Sequence, residues 1–202
     1  MTRIVLVRHG HVEGIAPQRF RGRRDVELSA LGMRQARVTA QRIAQQLRPA
    51  AVYTSPLRRC LQTAAQIGSA CSLDCSALDE LNDVHFGDWE WRTYDEVRDA
   101  WPALFERWLG APELVRFPHG ESLQEVAARM ADVVRLMCER HPQETVVVVG
   151  HNACNRVLLL QALDRPLSAY WRVGQDPCAV SEIEISGTVV TVQRLNETYP
   201  TE

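Results

Sequence analysis

The chain contains no lysine: all 23 basic residues are arginine, set against 25 acidic ones. That absence excludes Schiff-base chemistry, a lysine-bearing phosphate loop and a kinase-type lysine. Long hydrophobic runs are missing too, and no stretch approaches the length that crosses a bilayer. The opening residues, MTRIVLVRHG, carry only a short apolar run before Arg8, without a signal peptide's apolar region or small-residue cleavage site. A cytoplasmic location is the resulting expectation. The six cysteines, Cys60, Cys71, Cys75, Cys138, Cys154 and Cys178, form no CxxC pair. They read as reduced, mostly structural thiols rather than a zinc site. What is present is ordinary globular material. The 202 residues are 46% hydrophobic and 24% charged, which suits one domain, 1–202, with a real core.

The net charge of −2 hides an asymmetry. Residues 1–60 hold twelve arginines against Glu13, Asp25 and Glu27, a local balance of +9, while the remainder carries −11. Base composition of the genome explains the arginine total but not this clustering. The cluster suits a small anionic ligand better than a nucleic acid, because the acidic remainder repels a long polyanion.

Residues 3–8 read as a short strand buried on both faces. LSALGMRQARVTAQRIAQQL reads as a helix with Ser29 as N-cap and Ala36, Ala40, Ile43, Ala44 and Leu47 on one face. AAVYTS is a second strand. Ser55-Pro56 predicts an N-cap and first-turn proline for a helix through about Ile67, and a third strand falls within 72–79. Residues 81–120 form an irregular or helical cap segment with four of the five tryptophans. In it, Thr93 and Glu96 make a capping box for a short helix. Ser122 and Glu125 make another, starting a helix with the stripe Leu123, Val126, Ala127, Met130, Val133, Val134 and Met137. TVVVVG is the clearest strand, and it leads into the buried helix HNACNRVLLLQAL. AVSEIEIS and VVTVQRL form a hairpin turning near Gly187. Alternating strands and helices with wholly apolar strands predict a three-layer α/β/α sandwich around a mostly parallel sheet.

In such sheets ligands sit beyond the carboxyl ends of the strands. Arg8 and His9 stand where the first strand stops, and Gly150 and His151 stand where TVVVV stops, so the two imidazoles can face each other. Gly10 lets a ligand approach the backbone. His151 opens a helix whose amides favour an anion. Arg59, in SPLRRC, and Asp83, in ELNDVHFGDWE, complete a phosphate pocket in principle. Arginines match phosphate oxygens, one neutral imidazole attacks phosphorus, the other, protonated, stabilises charge on the equatorial oxygens, and a carboxylic acid protonates the leaving oxygen. Each residue alone has a structural reading, as turn former, cap or solvated helix residue. The coincidence of Arg-His-Gly and Gly-His at two strand ends favours the catalytic one.

LVRHG, SPLRRCLQTA, ELNDVHFGDWE, PHGESL and VVVVGHN stand in the order seen in the histidine phosphatase superfamily, and RFRGRRDVELSALGMRQA resembles the stretch that follows its first motif. Over nearly its whole length the chain is similar to the first branch of that superfamily, the phosphoglycerate mutase-like group. The resemblance implies that His9 is the nucleophile that becomes phosphohistidine. It implies that Arg8, Arg59 and His151 hold the phosphoryl oxygens and that Asp83, four residues before Gly87, is the general acid. Glu80 is the nearby competitor with the wrong spacing. Many members have glutamate at the position of Asp83. Ile15 stands where many carry an asparagine, leaving its phosphate contact to Arg21 or Asn152. His11 is assigned no role, Ser122 is structural and Glu121 undecided.

Mutases of this group carry a long insertion with basic residues between the acid motif and HGES. Only about thirty residues separate Gly87 from His119 here, and their basic residues, Arg92, Arg98, Arg107 and Arg116, are outweighed by acids. The expected activity is therefore hydrolysis of small phosphate monoesters without metal or other cofactor, with phosphoglycerate mutase-type transfer as the alternative. Phe20, Arg21, Arg23, Trp89 and Tyr94 are candidates for the pocket rim. The expected partner is a small phosphorylated metabolite, neither nucleic acid nor membrane, and a homodimer is left open. A metal-dependent hydrolase built on His9-x-His11 is disfavoured, because such barrels need about 250 residues. A non-catalytic phosphate-binding module is the third reading.

Overall fold

The structure, a computed structural model, describes residues 1–13 and 17–200. Ile15 lies outside the described residues. Six strands form one sheet in the order β3-β2-β4-β1-β5-β6: β1 (Thr2–Arg8), β2 (Ala51–Thr54), β3 (Cys75–Ala77), β4 (Thr145–Gly150), β5 (Val180–Ser186) and β6 (Val189–Glu197). β1 to β4 run parallel, while β5 lies antiparallel to β1 and to β6. The mostly parallel sheet and the terminal hairpin, with Gly187 in its turn at φ +60°, match the sequence reading.

Side chains alternate across this sheet, so each strand feeds two cores. Val5, Val7, Val52, Val147 and Val149 pack beneath α1 (Ala30–Gln46) and α2 (Arg58–Cys71). Ile4, Leu6, Val146 and Val148 pack against α5 (Leu123–Arg140) and α6 (Asn152–Ala162) on the other face. Burial on both faces explains why these strands are apolar throughout. Ser29 caps α1 by accepting from the Gly32 amide, and the Ser122/Glu125 box caps α5. Among the described residues no helix is long and apolar enough to cross a membrane, and all six cysteines are unbridged.

Two local expectations are corrected. Ser55 is not an N-cap: α2 starts at Arg58 after Leu57, which offers no side-chain cap, and runs on to Cys71, where Ser72 takes the left-handed conformation. The Ser55 hydroxyl is instead engaged with His151. The segment 81–120 is less irregular than its composition suggests. The Thr93/Glu96 capping box opens α3 (Tyr94–Ala100), and α4 (Pro102–Gly110) follows with proline in its first turn. Trp89 and Trp108 pack in the core and bind these short helices to the sheet's α5/α6 side.

The first residues beyond β1 are fixed by a close approach of α1. A Cβ on Gly32 would stand 2.0 Å from the His11 carbonyl oxygen, and one on Gly10 would stand 2.6 Å from the Gly32 oxygen. Both contacts are backbone, so neither can yield as a flexible side chain does. Gly32→Ala is expected to cost about 1–3 kcal/mol of stability and to lower turnover by pushing on the loop that carries His9. Thermal unfolding and steady-state rates on one preparation check both effects, and an unchanged Tm contradicts the prediction.

Candidate active site

β1 and β4 are adjacent and parallel, in a register that pairs Arg8 with Gly150. The next residue of each strand is therefore His9 and His151, side by side at the carboxyl edge. The ladder continues for one bond, from the His9 amide to the Gly150 carbonyl at 3.0 Å. The two rings meet edge to face with centroids 5.4 Å apart, and both are buried.

Hydrogen bonds fix the ring protons. His9 Nδ1 lies 2.8 Å from the Gly10 carbonyl oxygen. A carbonyl only accepts, so Nδ1 carries the proton and Nε2 keeps its lone pair. At His151, Arg59 Nε donates to Nδ1 at 3.3 Å. Nδ1 is then the acceptor, and Nε2–H is directed to the Ser55 hydroxyl at 2.8 Å. Both imidazoles are neutral in this arrangement, so His151 is not the protonated ring that the sequence predicts. Burial pushes the His9 pKa well below the ordinary imidazole range, with the Arg59 and Arg8 charges adding to the effect. Burial does the same to His151, helped by Arg59.

Arg59, the second residue of α2, is wholly buried rather than solvated. Its guanidinium donates to the carbonyls of Arg24 at 2.8 Å and Gly22 at 2.7 Å, and to Asp83 Oδ2 at 3.2 Å. Arg8 reaches the Gln175 carbonyl through Nη1, while its Nε is buried without a partner. Burial and the nearby Arg21 charge bring the Arg8 pKa down to about 10. Arg21 lines the adjoining cleft together with Asp83 and Asn152. Gly10 sits at the cup's floor, its amide donating to Thr63 Oγ1 at 3.2 Å.

Asp83 lies 3.6 Å from His151 Nδ1 through Oδ2 and accepts the Val84 amide through Oδ1. Burial raises its pKa above the usual carboxylate range, and the Arg59 charge only partly offsets that rise. Glu80 is exposed on a 3₁₀ turn (Asp79–Leu81), away from this cluster. His11 bonds to Ser29 Oγ. Among the described residues no three His, Cys, Asp or Glu side chains group as metal ligands.

The Glu121 carboxylate has a structural task. It accepts from the His85 amide, Arg23 and Arg129, and it thereby pins the loop that carries Asp83. Of the expected rim residues, Phe20, Arg21 and Tyr94 line the cleft, whereas Trp89 is core. Arg23 holds the Asp83 carbonyl at 3.3 Å. The sequence reading passed over Arg156, Tyr170 and Trp171, which form the far wall. One signal was available, since Arg156 is the only charged residue in α6.

A family profile described as histidine phosphatase superfamily (branch 1) matches residues 4–198. The chain is 32% identical over 198 residues to phosphoserine phosphatase 1 of Hydrogenobacter thermophilus, spanning 98% of this chain and 93% of that protein. It is 30% identical over 163 residues to a metal-independent phosphoserine phosphatase of Arabidopsis thaliana, spanning 80% and 68%. Among solved structures, YhfR of Bacillus stearothermophilus superposes with a TM-score of 0.93 at 29% identity, covering 98% of each chain. A mycobacterial glucosyl-3-phosphoglycerate phosphatase superposes with a TM-score of 0.88 at 26% identity, covering 97% of this chain and 99% of its own.

Proposed function

The chain belongs to the histidine phosphatase superfamily, branch 1, and from that premise we propose that it hydrolyses small phosphate monoesters through a phosphohistidine on His9. The observation that carries this reading is the pair of neutral, buried imidazoles 5.4 Å apart beside a carboxyl group of raised pKa.

His9 Nε2 attacks phosphorus with its free lone pair, and the bond from phosphorus to the ester oxygen breaks. The ring gains positive character, which the Gly10 carbonyl stabilises through the Nδ1 proton. Asp83 gives its proton to the departing oxygen. Arg8, Arg21, Arg59 and the Asn152 Nδ2 amide hold the phosphoryl oxygens, and His151 joins them by turning its Nε2–H from the Ser55 hydroxyl to phosphate, with Gly10 leaving room for them. Water then attacks phosphorus, the Asp83 carboxylate takes a water proton, and the phosphorus–nitrogen bond breaks to restore neutral His9. The relatives named as phosphoserine phosphatases support water as the acceptor and a reaction without metal. The whole chain acts as a single domain, with residues 81–120 as the cap over the alcohol half of the substrate.

Turnover in oxygen-18-labelled water tests this. Phosphate released by hydrolysis of the phosphoenzyme carries the label. Unlabelled phosphate transferred to a second phosphorylated acid indicates the mutase-type alternative instead.

A further inference from the structure

We propose that Arg156 binds a carboxylate on the alcohol half of the substrate, so that the preferred esters are phosphorylated small hydroxy acids; this rests on the phosphatase reading above. The cleft beside the imidazole cup is lined by Asp83, Asn152 and Arg156, but not by His9 or His151. It begins where the proton donor stands and leads away from phosphorus. Its occupant is therefore the group that leaves with the proton from Asp83.

Arg156 differs from Arg59 and Arg129, whose donors go mostly to carbonyls and carboxylates of the protein, Arg59 keeping one Nη1 hydrogen for phosphate. Among the described residues no carboxylate stands within ion-pair distance of Arg156, and its Nε is buried without a hydrogen-bond partner. The surrounding positions of α6 (Ala153, Cys154, Val157, Leu158, Leu159 and Leu160) are buried and apolar. Arg156 is half-buried, and its sealed Nε without a counter-charge carries a desolvation cost. Its orientation is nevertheless fixed, because the guanidinium lies over the rings of Tyr170 at 5.1 Å and Trp171 at 5.2 Å. A planar, oriented guanidinium with open donors matches a carboxylate with two parallel bonds. Asn152, one turn earlier on the same face of α6, has a buried side-chain oxygen without a partner. It suits a hydroxyl or ammonium group on the carbon next to that carboxylate. The aromatic walls, among them Phe86, Tyr94 and Trp108, keep the occupant small.

The test compares kcat/KM for O-phosphoserine and for phosphoethanolamine, which is the same ester without its carboxylate. Wild type is expected to favour O-phosphoserine. In Arg156→Gln, whose stem still packs on the two rings, that preference falls on the order of 10²-fold. Arg156→Lys keeps the charge without the fork and gives an intermediate ratio. A wild type that treats both esters alike overturns the proposal. So does a parallel loss on both in Arg156→Gln, which marks Arg156 as a phosphoryl contact. A wild type that hydrolyses neither ester, nor an aryl phosphate, overturns the phosphatase reading itself.

Discussion

His9→Ala is expected to lower kcat/KM by about 10⁴- to 10⁶-fold, roughly 5–8 kcal/mol in barrier height, and to abolish the acid-labile phosphoenzyme. The size of the effect follows from the ring protons. His9 offers a lone pair at Nε2, because Nδ1–H is committed to the Gly10 carbonyl. His151 cannot take over. Its Nδ1 receives Arg59 Nε and its Nε2 faces Ser55, so neither nitrogen presents a lone pair toward the cup. Lost nucleophilicity therefore has no local substitute. Labelled ester, rapid quenching and an unfolding trace on the same sample separate loss of chemistry from loss of fold. Phosphoenzyme persisting in the variant would remove His9 from the nucleophile's role.

Asp83→Asn is expected to slow esters with poor alcohol leaving groups by about 10²- to 10⁴-fold, while aryl phosphates, whose leaving groups need no proton, lose less than about tenfold. The variant also changes the pH profile in a direction that can be worked out. The first step requires Asp83 protonated. Burial raises its pKa, so the acid form persists to higher pH than in an ordinary carboxylate. The first step also requires His9 neutral, and its depressed pKa keeps the ring neutral to well below the usual imidazole range. As pH rises through the Asp83 pKa, kcat/KM on alkyl esters falls, and the asparagine variant lacks that fall. The substrate's own ionisation, near about pH 6, is common to both enzymes and cancels in their ratio. Equal losses on alkyl and aryl esters, with the alkaline limb intact, would assign the proton to another group.

The strand ends were the most legible part of the chain. Apolar runs that stop abruptly at Arg-His-Gly and Gly-His imply a shared sheet edge, and the register of β1 with β4 makes the two histidines neighbours. Capping chemistry was equally readable at Ser29, Thr93 and Ser122, because each cap spans only a few residues. Ser55 was misread because the same residue type that caps helices also makes tertiary hydrogen bonds, and here its hydroxyl serves His151. The helix Pro102–Gly110 was obscured by tryptophans whose burial depends on partners outside it, such as Phe117 and Tyr170. Arg156 was passed over for a related reason. Its meaning lies in the acid it does not have, and an unmet charge shows only once its neighbours are placed.

The loop bearing Asp83 is held on both sides of that residue. Arg129 grips the Asn82 carbonyl at 2.7 Å, Arg23 the Asp83 carbonyl, and Glu121 the His85 amide. A proton donor anchored in this way has almost no reach of its own. It cannot swing out to meet a bulky alcohol, nor follow a substrate that docks askew. The ester oxygen has to be delivered to it, and the enzyme's selectivity is then decided by whatever steers the other end of the molecule into place.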